Sequence, residues 1–333
     1  MPGGLKLLRT KVVEIGKKHN LPIVTIYEGI KNMLPDAEVV YEKGADIISA
    51  HFPEDEIMPF PIEADAQELL DKAVKAAQQS DVAILVLGGS ELTVREDRSR
   101  TSLDLPKSQQ RLLEAVCATG KPVVLVLVDG RAASINYAQA HVPGIIHAWF
   151  PGEFGGDAVA QVLFGAYNPG GKLAVTFPKS VGQIPYAFPF KPGSKAASGT
   201  SVYGALYPFG YGLSYTTFEY SNLEITPTVQ GPAGNVDINF MIRNTGKRVG
   251  DEVVQLYLHD EYSSVISYTK VLRGFDRVTL QPGEEKRVHF TLGKQELGLW
   301  DIHDEFTVEP GSFKVMVGAS SEDIKLEGKF TIQ

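Results

Sequence analysis

Between Gly88 and Pro106 the chain carries four acids, Glu91, Glu96, Asp97 and Asp104, among three arginines, Arg95, Arg98 and Arg100. A carboxyl group in such a stretch can give and take a proton at a reacting bond, provided its surroundings hold its pKa near the working pH. The arginines would lower the pKa of Glu96 if they point at it, and a second carboxylate nearby would raise it. Glu91 lies three residues past Gly88, and Glu96 lies five residues further along. The plainer roles are a loop-ordering ion pair for Glu96 and a solvated acid for Glu91. Arg98, Arg100 and Asp97 are further candidates for ligand contacts, against the alternative of loop ion pairing. Trp149 and Phe150 are candidates for a stacking wall, against the alternative of core packing. Glu153 either lines a cleft or sits as a charge near a helix N-terminus.

The elements around these residues have an α/β rhythm. Asp65–Gln79 reads as a helix with Leu69, Leu70, Ala73 and Ala77 on one face. Asp81–Gly88 is a continuous apolar run ended by glycine, which suits a parallel strand covered on both faces. Pro106–Ala118 is the next helix and Pro122–Val128 the next strand. Helix over 132–140, strand over 144–150 and helix over 155–164 complete the alternation. The pattern predicts a doubly wound parallel sheet, and such sheets bind ligands outside the C-terminal ends of their strands. The loop leaving Gly88 begins at such an end. Upstream, Leu5, Leu8, Val12 and Ile15 have helical spacing, 23–33 reads as a strand and a short helix, and 38–41 as a short strand. Residues 51–63 hold Pro53, Pro59 and Pro61 and read as a loop.

Residues 178–220 are rich in proline, glycine, serine and aromatics and read as a long connection, with Tyr207, Tyr211 and Tyr215 expected to pack it onto the α/β domain. From Asn222 the texture is all-β. Residues 237–242 mostly alternate polar and apolar, and Gln281-Pro282-Gly283-Glu284 and Glu309-Pro310-Gly311-Ser312 are turn signals. Short strands at this spacing predict a β-sandwich.

Composition narrows the function. A length of 333 residues favours two domains, and 43% hydrophobic with 22% charged residues is that of an ordinary globular protein. A net charge of −8 argues against nucleic acid or anionic membrane as a partner, because both require a basic surface. No stretch approaches the roughly 20 apolar residues of a membrane span. Residues 1–6 do not read as a signal peptide, being followed by a basic amphipathic segment. Cys117 stands alone, in an apolar helical pattern, and reads as a core residue. The seven histidines, His19, His51, His141, His147, His259, His289 and His303, are scattered, so no metal site is expected. Gly88-Gly89-Ser90 lacks the dinucleotide fingerprint and no serine-hydrolase elbow is present, so no cofactor is expected.

Five segments together resemble the β-glucosidases and β-xylosidases of glycoside hydrolase family 3. They are Arg95 to Pro106 with Gln109 and Leu112; Gly120 to Leu127 with Gly130-Arg131; Ala148 to Glu153 with Gly155 to Ala158; Asn168 to Pro178; and Leu206 to Phe218. The resemblance implies an α/β sandwich domain over 23–180, a linker over 181–221 and a fibronectin type III-like domain over 222–333, with 1–22 unmatched. In many members a catalytic (β/α)8 barrel comes first, and no segment here resembles it. Retaining glycosidases use two carboxyl groups roughly 5 Å apart. In this family the nucleophile is an aspartate of the barrel, and in many relatives the acid/base glutamate comes from the α/β domain. The family pattern has an acid just before the Ser-Arg-Thr element, which Glu96 matches ahead of Ser99-Arg100-Thr101, with Glu91 as the alternative. Arg98 and Trp149 then become the candidate sugar contacts. The implied partners are an oligosaccharide or β-glucoside substrate and a barrel domain in the parent protein or another chain. The implied location is periplasmic or secreted. The isolated chain is expected to be inactive; the competing expectation is a non-catalytic two-domain fragment with a scaffold or weak carbohydrate-binding role.

Overall fold

The structure, a computed structural model, describes residues 23–194, 202–227 and 234–333. The helix expected over 5–18 lies outside the described residues. The chain divides into two compact units, with the division between Tyr167 and Asn168.

The first unit is built on a three-stranded parallel sheet. Its strands, β1 (Ala83–Gly88), β2 (Val123–Val128) and β3 (Gly144–His147), lie in that order. Ala83 pairs with Val123 and Gly88 with Val128, while Val124 to Leu127 pair with Gly144 to His147. Leu125, Val126 and Leu127 have no exposed surface. The helices are α1 (Ile26–Met33), α2 (Ala64–Gln79), α3 (Lys107–Cys117), α4 (Asn136–His141) and α5 (Gly155–Leu163). α3 buries Gln109, Leu112, Leu113 and Val116, the spacing of one helical face.

Three local expectations are corrected. No strand forms over 23–25, because Thr25 caps α1: its hydroxyl accepts from the Glu28 amide at 3.2 Å and its own amide donates to the Glu28 carboxylate at 2.8 Å. No strand forms over 38–41, where Tyr41 instead lies against Tyr27 with ring centroids 5.5 Å apart. The third helix-strand pair is shorter than its apolar pattern. Residues 132–135 stay outside α4, the Ser134 amide donating to the Leu103 carbonyl at 2.9 Å, and β3 stops at His147.

α1 and α5 approach backbone to backbone. A Cβ on Gly29 would meet the Gly156 carbonyl oxygen at 2.2 Å, and one on Gly156 would meet the Thr25 carbonyl oxygen at 2.2 Å. Neither obstacle is a flexible side chain. Gly156→Ala is therefore expected to lower stability by about 1–3 kcal/mol through forced helix displacement. Gly171→Ala, where a Cβ meets nothing within 4 Å, should change it by less than about 0.5 kcal/mol, both variants being compared with the parent chain by urea titration.

The second unit is a β-sandwich. One sheet joins β4 (Phe218–Pro227), β5 (Val236–Asn244) and β8 (Glu285–Leu292); the other runs β12 (Ile324–Ile332), β11 (Gly311–Gly318), β6 (Gly250–Asp260), β7 (Val271–Leu280). All these pairs are antiparallel. Between β8 and β11 lie a short helix, α6 (Lys294–Leu297), and a two-stranded ribbon, β9 (Leu299–Trp300) and β10 (Phe306–Thr307). The core between the sheets includes Ile238, Phe240, Ile242, Leu256, Val315 and Val317. The β7–β8 turn has Gly283 at φ +78°, the left-handed backbone its signal requires.

The connection before β4 belongs by its contacts to this second unit rather than to the α/β unit. Asn168 donates to the Val249 carbonyl at 2.9 Å and accepts from Ser214 at 2.9 Å and the Tyr215 amide at 2.7 Å. Gln255 on β6 donates to the Gly210 and Ala319 carbonyls at 3.1 and 2.7 Å. Tyr207 packs edge-on against Phe177, and Tyr211 against Tyr207. Lys172 is 3.1 Å from Glu252, and Tyr220 donates to Glu252 at 3.0 Å. These side chains of Lys172 and Glu252 are only 10% and 5% exposed. Burial pushes the Glu252 carboxyl up against the opposing pull of Lys172, and burial with the Glu252 charge pushes the Tyr220 hydroxyl up.

Candidate functional site

β1 ends in a backbone that only glycine permits. Gly88 has φ +139°, and a Cβ there would lie 2.0 Å from the Val128 carbonyl oxygen. Gln109 of α3 fixes this strand end. Its amide oxygen accepts from the Gly88 N–H at 2.7 Å, and its amide nitrogen donates to the carbonyls of Gly88 and Ile47, each at 2.7 Å. Gln109 is buried, so both halves of its amide need these partners.

The chain then turns. Thr93, with no exposed surface, accepts from the Ser90 amide at 2.8 Å and donates to the Ser90 carbonyl at 3.1 Å. The amides of Thr93 and Val94 both donate to that carbonyl. Glu91 lies inside this turn and is half-buried. Glu96 lies beyond it, in a second turn closed by the Arg98 amide on the Arg95 carbonyl at 3.2 Å. Arg95, Glu96 and Asp97 are exposed, and Asp97 has φ +64°.

The arginines of the loop serve different ends. The Arg98 carbonyl accepts from the guanidinium of Arg131, and the Arg98 Nε is buried with no hydrogen-bond partner among the described residues. Arg100 pairs with Glu56, their side chains only 7% and 6% exposed, and also donates to the Asp104 carbonyl at 3.1 Å. Its guanidinium lies over the Phe52 ring at 5.6 Å. The Thr101 amide and hydroxyl donate to the other Glu56 oxygen at 3.0 and 2.7 Å. Burial raises the Glu56 pKa, but the Thr101 hydrogen bonds and the Arg100 charge outweigh it and hold the group below its ordinary value.

The neighbouring strand ends line the same edge. Burial pushes the Asp129 carboxyl up, opposed by the amides of Arg131 and Gly130. A Cβ on Gly130 would meet Val94 and Phe150, so the loop, the β2 exit and the β3 exit come together there. Phe150 is 55% exposed, whereas Trp149 is half-buried at φ +51°, its ring edge-on to His147 at 4.2 Å. Burial holds the His147 imidazole down to about 4, opposed by its hydrogen bond to the Arg131 backbone. Glu153 stands just before α5, its carbonyl accepting from the Val24 amide at 3.0 Å.

The arrangement thus presents two glutamates, an arginine and two aromatics at the C-terminal edge of a parallel sheet. Carboxyl groups there can exchange protons with a bound molecule, and the aromatic faces can take an apolar surface. Among the described residues no cluster of metal-ligating side chains forms, and no helix is long and apolar enough to cross a membrane. Sequence reasoning passed over Glu56 and Asp129, and named Gln109 only as part of a motif. The signal for Glu56 was present: Glu54-Asp55-Glu56 is an acidic run facing a loop with three arginines.

Comparisons with known proteins bear on both units. The family model of the glycosyl hydrolase family 3 C-terminal domain matches residues 10–215, and that of the fibronectin type III-like domain matches residues 252–321. A β-xylosidase of Formosa agariphila is 42% identical over 91% of the chain and 41% of its own length. The periplasmic β-glucosidase of Salmonella typhimurium is 40% identical over 93% of the chain and 42% of its own length. The solved structure of a β-glucosidase from Erythrobacter marinus superposes with a TM-score of 0.85 at 35% identity, over 93% of this chain and 43% of that one. The chain therefore spans about two fifths of the length of these relatives.

Proposed function

The chain belongs to glycosyl hydrolase family 3, and from that premise we propose that it is the acid/base-bearing part of a retaining β-glucosidase acting on terminal β-D-glucosyl residues. One observation carries the reading. A loop bearing Glu91 and Glu96 leaves the C-terminal end of β1, where an α/β sheet offers a site, and it is braced by Gln109, Thr93, Arg131 and Glu56. Glu96 is the acid/base: it protonates the departing oxygen, then takes a proton from the water that releases the sugar. Its exposure suits a group that acts on a substrate held partly by another domain. Glu91, inside a hydrogen-bonded turn, is the alternative. Arg98, half-buried two residues past Glu96, contacts the sugar. Trp149 adds apolar contact beside it.

The nucleophile comes from a barrel domain, in the parent protein or on another chain. A length two fifths that of the relatives supports this, as does the lack of any segment resembling the barrel's aspartate motif. A relative named for the periplasm supports export of the whole enzyme. The test is hydrolysis of an aryl β-glucoside by the isolated chain and by the chain mixed with its matching barrel domain. We expect no turnover from the chain alone and turnover from the mixture. Hydrolysis by the chain alone would overturn the assignment of the nucleophile. Two halves that bind yet stay inactive would favour the non-catalytic fragment.

A further inference from the structure

We propose that Glu56 is a positioning residue for the acid/base loop, holding its far end so that Glu96 is presented at one fixed place. This rests on the reading of Glu96 as the acid/base.

The loop is held at three points. At its start, Thr93 and Ser90 close a turn through both backbone and hydroxyl. In its middle, the Arg131 guanidinium takes the Arg98 carbonyl. At its end, Glu56 gathers the Arg100 guanidinium on one oxygen and the Thr101 amide and hydroxyl on the other. Among the described residues the Arg98 amide to Arg95 carbonyl bond alone supports the backbone between the first two points, and the side chains of Arg95, Glu96 and Asp97 are exposed. An exposed tip has little packing of its own, so its place is set by its anchors.

Of these anchors Glu56 has the chemistry hardest to replace. A carboxylate offers acceptors on two oxygens and carries the charge that a buried arginine requires. A glutamine in its place would keep one acceptor and turn an NH2 group toward either Arg100 or Thr101. Glu56 itself stands on a 3-10 turn, Glu54–Glu56, so the anchor comes from a separate segment of the chain. Phe52 closes the other face of the Arg100 guanidinium. Glu56 has no part in the proton transfer; it acts through the geometry of the loop.

The experiment compares two substrates on the chain assembled with its barrel domain. A dinitrophenyl β-glucoside has a leaving group that departs without a proton, whereas methyl β-glucoside needs one. Glu56→Gln is expected to lower kcat on methyl β-glucoside by about 10- to 100-fold, the scale of a misplaced catalytic group. The KM for that substrate should stay within about twofold, and kcat/KM for the dinitrophenyl substrate should change by less than about threefold, since that ratio ends at departure of a leaving group that needs no proton. Thr101→Val removes one donor and leaves the Arg100 pair intact; it should show the same selectivity at about three- to tenfold. It decides the matter if Glu56→Gln fails to fold.

Glu96→Gln is measured alongside. If it shows no selectivity between the two substrates in kcat/KM, the reading of Glu96 fails and the role of Glu56 falls with it. If Glu96→Gln is selective while the folded Glu56 and Thr101 variants lose both activities equally, or lose neither, Glu56 is only a structural ion pair and the proposal is overturned.

Discussion

Glu96→Gln, in the chain assembled with its barrel domain, should lower kcat/KM toward methyl β-glucoside by about 10²- to 10⁴-fold, the usual contribution of a general acid. An alkoxide is too basic to leave unprotonated, so the glycosidic oxygen must receive a proton as the bond breaks, and an amide cannot supply it. The same variant should lose the alkaline limb of the pH–rate profile, because that limb reports deprotonation of the acid in the free enzyme. Glu91→Gln should keep both the rate and the limb, since Glu91 sits in a turn whose hydrogen bonds come from Ser90, Thr93 and Val94 and do not use its carboxylate. The reverse pattern, loss with Glu91→Gln and retention with Glu96→Gln, would move the acid/base to Glu91.

The second large effect concerns stability. Lys172→Met should destabilise the β-sandwich unit by about 3–5 kcal/mol, because it leaves the Glu252 carboxylate buried without its cation. Glu252→Leu alone should cost a similar amount by stranding Lys172. The double variant Lys172→Met with Glu252→Leu should recover most of the loss, since a buried ion pair replaced by apolar groups of like size is often neutral or better. Tyr220 would then lack its acceptor, which sets the residual cost at about 1–3 kcal/mol. Denaturant midpoints of the four proteins at neutral pH check the cycle. Additive losses in the double variant would show that the pair is not coupled.

These two predictions mark where the sequence was informative and where it was not. The apolar run 81–88 and its glycine were enough to identify a parallel strand and its stop, but not its cover: Leu85 and Leu87 are buried while Val86 is 47% exposed, so β1 is not covered on both faces as expected. The turn at Gly283 was legible in the same way, whereas Gly311 opens strand β11. The run 144–150 misled, because apolar residues continue past the point where β2 stops offering partners. Tyr41 looked like a strand residue but had a ring of α1 to lie against. Both depend on tertiary partners that no local pattern encodes.

The site was legible in part. The loop and its two glutamates could be picked out from their place after a strand and from their resemblance to a family motif. The anchor at Glu56 was marked only by the acidic run 54–56; its pairing with Arg100 was not legible, since the two are far apart in the chain and meet in the fold. Lys172 and Glu252 show the converse. Lys172 sits in one of the motifs that carry the family resemblance, yet it holds the connection together through the Gly212 carbonyl and ties it to the β-sandwich through Glu252. A family motif can thus report a latch as readily as a catalytic group.

The loop's anchoring also says where new activity can be sought in the laboratory. Thr93 and Arg100 are each committed by their side chains to a partner, so randomising them would mostly yield misfolded proteins. Arg95 and Asp97 are exposed and flank the proposed acid, and diversity placed there alters the field around it while the frame stays intact. Position 97, at φ +64°, admits glycine or asparagine but resists β-branched residues. A library for changed leaving-group preference is therefore small: two codons, one of them restricted by backbone geometry.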